Sequence, residues 1–367
     1  MSLRRAWFVA FVALFVTPQL AAAIDWQTQT VDSDGDTGYK PSLAFDSQGI
    51  LNVVYIDRTQ TRYIHATKTG PNHWIRQGTE LADERMAPDA VMLPGDVPAF
   101  TAGGMFYVKT DQGWQVEDMR TFGFWCSAVA LAPDGSVEGI AQASWGSGSY
   151  VGWVDGVVRH QGVWGSPTEI VDTIFYPTYP SQSLVVDAAG IPHASFTTTM
   201  GDPLRYAHRV ASTWLVDELP PGLWSSIALD AQGSPRISYY DPVNQDLVMA
   251  TQSNGDWNSA PLDVPGDVGL YTSQAASNGV SYTAYYNQTD GDLRVVKFTA
   301  PNQFAPISHV DTEGNVGEWP SIAIDAQGLV HVAYYDVTNG DLKYAIGVTP
   351  TPTRNATLGQ IKAKYRR

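Results

Sequence analysis

The chain of 367 residues has a single cysteine, Cys126, so no disulfide can form within it and burial alone must hold the fold. A lone cysteine in that setting reads as a small buried apolar residue. Long apolar runs are missing after the first one, AWFVAFVALFV at 6–16, which is too short to span a bilayer. Arg4 and Arg5 precede that run and Ala21-Ala22-Ala23 follow it. Residues 1–23 therefore read as a secretory signal cleaved after Ala23, and the mature chain as exported, without a transmembrane segment. Sustained helical periodicity is absent as well, which makes the body all-β. H-x-H, H-E-x-x-H and Cys/His metal spacings, a G-x-S-x-G elbow, a P-loop and a dinucleotide fingerprint are all lacking. These gaps set aside the common metalloprotease, serine hydrolase and nucleotide-binding chemistries, and no cofactor is expected.

Positive charge is scarce: 22 Lys and Arg face 37 Asp and Glu, for a net charge of −15. Setting aside Arg4 and Arg5 of the leader takes it to −17. Setting aside the five cations after Pro350 takes it to −22. Such a body excludes nucleic acid and anionic lipid as partners.

What is abundant is repetition. The stretch VDSDGDTG at 31–38 places Asp32, Asp34 and Asp36 on alternate positions like the start of a calcium loop. Counting from Asp32, however, position 6 is Thr37 and position 12 is Leu43, where Gly and Glu are required. The same text recurs as VDTEGNVG (310–317) and LDVPGDVG (262–269), so it belongs first to a structural repeat. A weak structural calcium site at these aspartates stays open.

Aligning on the turn of SIAIDAQG (321–328) gives one glycine per unit: Gly49, Gly95, Gly135, Gly190, Gly233, Gly279 and Gly328. A period of this size holds four short strands, one propeller blade. An aromatic residue heads the last strand of each unit: Trp26, Trp74, Trp114, Trp164, Trp214, Trp257 and Phe304. Both markers count to seven. The last unit has only three strands, whereas the chain starts with an orphan, DWQTQTVD (25–32). The expected architecture is thus a seven-bladed β-propeller at 24–348, closed by the N-terminal strand, with a spacer and tail at 349–367. Alternation in SIAID puts Ser321 and Ala323 on one face, suited to the innermost strand around a narrow channel. LVHVAYYD (329–336) suits a strand packed on both faces.

The unit PSIAIDAQGLVHVAYYDVTNGDLKYA (320–345) resembles a repeat found in many exported bacterial proteins of unassigned function, taken to be β-propellers. The match is clear in units one, four, five and seven and poor in two and three. It implies a fold and a compartment more than an activity. The tail after TPTPT (349–353), ending GQIKAKYRR, resembles basic C-terminal tails that follow Thr/Pro spacers in exported bacterial proteins and are taken to act in sorting or attachment.

Candidate site residues come from three patterns. Strand ends carry Tyr55 and Asp57, Tyr240 and Asp241, Tyr286, and Tyr335 and Asp336, which would gather on one ring face and suit a sugar or peptide. The competing reading makes each Asp a hairpin cap and each Tyr inter-blade packing. Polar residues three after each glycine, His193 and His331 among them, could line a shared cavity. The long third unit (145–180) breaks the symmetry and concentrates aromatics, among them Trp145, Tyr150 and Trp153, a place for specific recognition. Catalysis has little support. The sialidase box S-x-D-x-G-x-x-W is absent, and Arg205 and Arg294 share the repeat position of Lys343 and so do not form a clustered triad. The expected function is non-catalytic recognition of carbohydrate or protein at the cell surface by a monomer. The alternative is a polysaccharide-acting hydrolase or lyase with paired carboxylates on the same face.

Overall fold

A computed structural model describes residues 24–83, 86–119, 124–144, 152–174, 181–197, 201–300, 303–304 and 306–348. Trp145 and Tyr150 lie outside them. The described residues form seven antiparallel sheets and no helix. The innermost strands, one per blade, are Tyr39–Phe45, Asp89–Leu93, Phe124–Leu131, Ser181–Val186, Leu223–Leu229, Val268–Ser277 and Val316–Ile324. Each blade then runs outward in chain order through hairpins. Blades 3 and 6 split their outer strand into two pieces that both pair with the third strand.

The seventh blade takes its outer strand from the other end of the chain. Asp25–Asp32 pairs antiparallel with Asp341–Val348, from Asp25 opposite Val348 to Asp32 opposite Leu342. This closure is what the orphan strand and the three-stranded last unit imply. It removes the free sheet edge that an open array would carry.

Burial follows strand position. The second strands Leu51–Asp57, Pro192–Thr197 and Val330–Asp336 are buried at every residue, because neighbouring blades cover both of their faces. All seven heading aromatics sit on outer strands. Three of them reach back across a seam through the indole N–H: Trp164 donates to Glu117, Trp214 to Thr168 and Trp257 to Asp217. The turn after the inner strand of blades 1, 4, 5 and 7 owes its shape to Asp-x-x-Gly. Asp325 Oδ1 accepts from the amides of Gln327 and Leu329, and Gly328 sits at a φ of +82°, which costs glycine nothing. Asp46, Asp187 and Asp230 repeat the two bonds.

Seams also close near the axis. The Oγ of Ser42 accepts from Ala90 N–H, Ser183 from Ile227, Ser226 from Gln274, Ser273 from Ile322, and Ser321 from Leu43. Asp89 takes the serine's place in blade 2 and accepts from Val129 N–H at 2.8 Å. Blade 3 has Ala128 at that position, so its seam with blade 4 lacks the bond. Small polar residues on the inner strand thus tie blades together as well as leaving room around the axis.

Candidate functional site

The Asp/Gly loops connect one blade to the next, and their aspartates are engaged there by protein groups. Asp32 Oδ2 accepts from the Tyr55 hydroxyl at 2.6 Å, and Oδ1 pairs with Arg76. Asp36 accepts from Tyr335 at 2.7 Å and pairs with Arg58 at 3.1 Å. The other copies repeat the design. Asp311 accepts from Tyr334 beside Lys343, and Asp263 accepts from Tyr285 beside Arg294. Asn315 and Asp267, at the Asp36 position, accept from Tyr286 and Tyr240. Asp34 is exposed, and its backbone N–H donates to Asp32. Among the described residues no group of three or more His, Cys, Asp or Glu is arranged to hold a metal ion. Asp32, Asp34 and Asp36 are therefore not gathered into one ligand sphere; each of the paired two faces a cation and a tyrosine.

Tyr55 is fully buried with its hydroxyl on Asp32, inside the seam between blades 7 and 1. Asp57, Asp241 and Asp336 cap their hairpins, accepting the amides of Gln60, of Val243 and Asn244, and of Asn339. Burial drives the Tyr55, Tyr285 and Tyr334 hydroxyls far above the ordinary tyrosine range, with the neighbouring carboxylate adding to it at Tyr285 and Tyr334, so all three stay donors. Burial pushes Asp311 upward too, but Lys343 and Tyr334 outweigh it and leave that carboxyl below its usual value. Trp153 lies on the third strand of blade 3, well out from the axis, with its indole N–H on Asp155 at 2.7 Å. His193 and His331 bond Tyr206 and Tyr344 within their own blades, three blades apart.

The described residues bring a different set together. Where the inner strands begin, on the face of the inter-blade loops, residues from all seven blades enclose an axial pit of about 220 Å³. Its wall over blades 5, 6, 7 and 1 is made by Trp224, Tyr271, Trp319 and Lys40, which hold one repeat position two residues before the inner-strand serine. All four adopt a left-handed backbone, with φ of +49°, +56°, +52° and +49°. Each lies where the ladder to the second strand slips by a bulge. A bulge re-aims the side chain it carries, and a bulky residue at positive φ costs about 1–3 kcal/mol, so four in register mark a place where side-chain direction is fixed at the expense of stability.

The rings form one continuous arc. Tyr271 stacks on Trp319 with centroids 3.8 Å apart, Trp224 meets Tyr271 at 4.7 Å, and Tyr39 meets Trp319 edge-on at 6.0 Å. Lys40 Nζ stands 4.8 Å over the Trp319 ring. Three of the tyrosines expected from sequence support this arc from behind: Tyr240 against Trp224, Tyr286 against Tyr271, and Tyr335 against Tyr39. Burial and their carboxylate partners raise Tyr240 and Tyr335 to about 12, so these hydroxyls also stay protonated. The opposite wall, over blades 2 to 4, is small and polar, with Ala87, Asp89, Ser127, Ser181 and Gln182.

Asp89 is the titratable group of that wall. Burial raises its pKa to about 6, and the bonds from Val129 N–H and Ser42 Oγ only partly offset the rise. Between pH 4 and 6 the folded chain holds a proton that the unfolded chain has released. Stability therefore falls as pH rises through this window, by up to about 1.4 kcal/mol per unit. Asp89→Asn, which keeps an acceptor for Val129, is expected to be about 2 kcal/mol more stable than the parent at pH 7 and equal to it below pH 4. Urea unfolding at a series of pH values measures this, and a pH-independent difference would refute it.

Lys40, Trp224, Tyr271 and Trp319 escape a reading from sequence because nothing in it reports a positive φ at a tryptophan. The available signal is the spacing K-P-S, W-S-S, Y-T-S and W-P-S at 40–42, 224–226, 271–273 and 319–321.

No family model matches the chain, and no curated protein matches it. Solved structures share its fold at low identity. A protein of unknown function from Dyadobacter fermentans is 12% identical over 88% of this chain and 98% of that one, with a TM-score of 0.53. An ulvan lyase, from a new family of polysaccharide lyases, is 12% identical over 89% and 95%, with a TM-score of 0.57. The six-bladed fucose-recognising lectin of Aleuria aurantia is 13% identical over 76% and 96%, with a TM-score of 0.51. At such identity the likeness is one of fold, and the chain is a propeller similar in architecture to proteins that bind or cleave carbohydrate.

Proposed function

We propose that this chain is an exported propeller that binds carbohydrate without turning it over, at or outside the cell surface, through the axial pit. The observation that carries this reading is the arc of Trp224, Tyr271 and Trp319, each held in a strained backbone conformation that aims it at one cavity. Aromatic faces stack on the apolar faces of sugars, and a polar wall opposite accepts and donates to their hydroxyls. Lectin and lyase neighbours of the same fold make sugars the chemistry to test first. Hydrolysis needs two carboxyls at a set separation, and the pit wall supplies one, Asp89.

A glycan array probed with the mature chain, with product analysis of every hit, tests the proposal. Binding without new reducing ends or unsaturated products supports it; turnover moves the chain to the enzymes, with Asp89 the first acid to substitute. Trp319→Ala is expected to weaken binding by about tenfold, the equivalent of about 1.4 kcal/mol from one lost stacking face. Unchanged affinity in calorimetry would take the site out of the pit.

A further inference from the structure

Resting on that reading, we infer that the pit takes the end of a neutral glycan chain, one per molecule, with the Gln182 amide as its polar anchor. Shape is the first argument. A groove crossing a surface is open at two ends and admits the middle of a polymer, whereas this cavity is a circle. Its lining comes from equivalent positions of all seven blades. Ser42, Asp89, Ser183, Ser226, Ser273 and Ser321 line it and also accept the seam-closing bonds, so the ring itself fixes its width. Such a closed ring of lining admits a linear chain by its end. The volume of about 220 Å³ is below the roughly 300–1,000 Å³ of pockets that enclose drug-sized ligands, and suits a terminal ring rather than several.

Stoichiometry follows from the aromatic arc. Although four blades contribute equivalent residues, Tyr271 and Trp319 stack at 3.8 Å and Trp224 closes on Tyr271, so the repeats merge into one wall with no separate cleft between them. Charge selects the class. Asp89 lines the pit, in a body with a large acidic excess, so an anionic sugar would be repelled. Of the nearby cations, Arg58 is paired with Asp36 and lies over Tyr39, and Lys40 lies over Trp319.

Gln182 supplies the specific polar contact. It lines the pit, and its Nε2 and Oε1 are buried with no hydrogen-bond partner. A buried amide without partners costs stability. In the inferred complex, rotation about its side-chain torsions would turn the amide toward the cavity, where a sugar hydroxyl, at once donor and acceptor, satisfies either group.

Calorimetry on the full chain tests this with methyl glycosides of glucose, galactose, mannose, fucose and xylose and linear oligomers of two to six units. Cyclomaltohexaose serves as a chain without ends and polygalacturonate as an anionic control. One site per chain is expected. The best methyl glycoside should bind within about tenfold of the longer oligomer with the same terminal unit, and polygalacturonate should not bind. Gln182→Leu should lose about tenfold in affinity while its Tm holds or rises, because the orphaned amide is gone. Affinity that climbs with every added unit, equal binding of cyclic and linear maltohexaose, several sites per chain, or a Gln182→Leu variant with intact affinity would each overturn the inference and leave carbohydrate binding standing. No binding to any neutral glycan would remove both.

Discussion

A chain shortened to begin at Ser33 is expected to lose its single cooperative unfolding transition and to self-associate. The strand removed is small, but what it covers is not. Asp25–Asp32 supplies the whole outer edge of blade 7, and without it the row of N–H and C=O groups on Asp341–Val348 is left open to pairing with another copy. Trp26 packs on the hydrophobic cluster of blades 6 and 7, and Val31 on that of blades 7 and 1. Asp32 is the acceptor for Tyr55 and the partner of Arg76, both in blade 1. Its loss orphans a fully buried hydroxyl, at about 1–3 kcal/mol, in addition to about 2 kcal/mol or more for uncovering a tryptophan contact. These costs fall on one seam of a ring whose stability of about 5–15 kcal/mol depends on closure. Circular dichroism melts and size-exclusion chromatography read the outcome, and a peptide of residues 24–32 added in trans should restore part of the transition. A truncated chain that melts like the parent, as a monomer, would show that the ring closes by other means.

That strand was legible in the sequence for the same reason that it matters. Hydrophobic faces, small inner residues and heading aromatics recur every 40–55 residues, and any departure from the count, such as three strands in the last unit, stands out against it. Gly328 and its six equivalents mark turns that only positive φ can make, so their spacing reports blade number directly. Repetition is also where the reading of function loses its grip. The Tyr-Asp strand ends recur in units one, five and seven, and as Tyr-Asn in six, and their hydroxyls and carboxylates turn to seams and hairpins: Tyr285 to Asp263, Tyr334 to Asp311, Asp241 to its own turn. The axial wall repeats too, yet Trp319 was hidden, since the residue before a proline is expected to be extended and here it is left-handed. Tyr240, Tyr286 and Tyr335 do stand near the pit, as supports behind the rings that line it. Asymmetry between the aromatic half and the polar half of that wall is visible only once the ring is closed and blades 5, 6, 7 and 1 become neighbours.

Gly38→Ala is expected to cost about 4 kcal/mol or more and to do so equally in calcium and in chelator, whereas Gly49→Ala should cost about 1–2 kcal/mol. Both residues have positive φ, +86° and +78°, so the backbone penalty is shared and the difference isolates packing. A Cβ at Gly49 meets nothing within 4 Å. One at Gly38 would lie 2.4 Å from the Leu342 Cα, an atom of the paired third strand of blade 7 that cannot yield without shifting the closing ladder. Gly317 and Gly269, its equivalents, face Leu293 and Leu247 in the same way, which is why the Asp/Gly loop keeps its second glycine in every clear copy. The loop thus presses one blade's entry against the preceding blade's third strand, with Asp32 and Asp36 hydrogen-bonded on either side of the contact. If its purpose were to hold calcium, the loss in Gly38→Ala and in Asp34→Asn would appear as a fall in Tm only when the ion is present. Equal melting curves with and without chelator, a large loss for Gly38→Ala and almost none for the exposed Asp34→Asn are the pattern required of a loop whose aspartates are there for tyrosine and arginine.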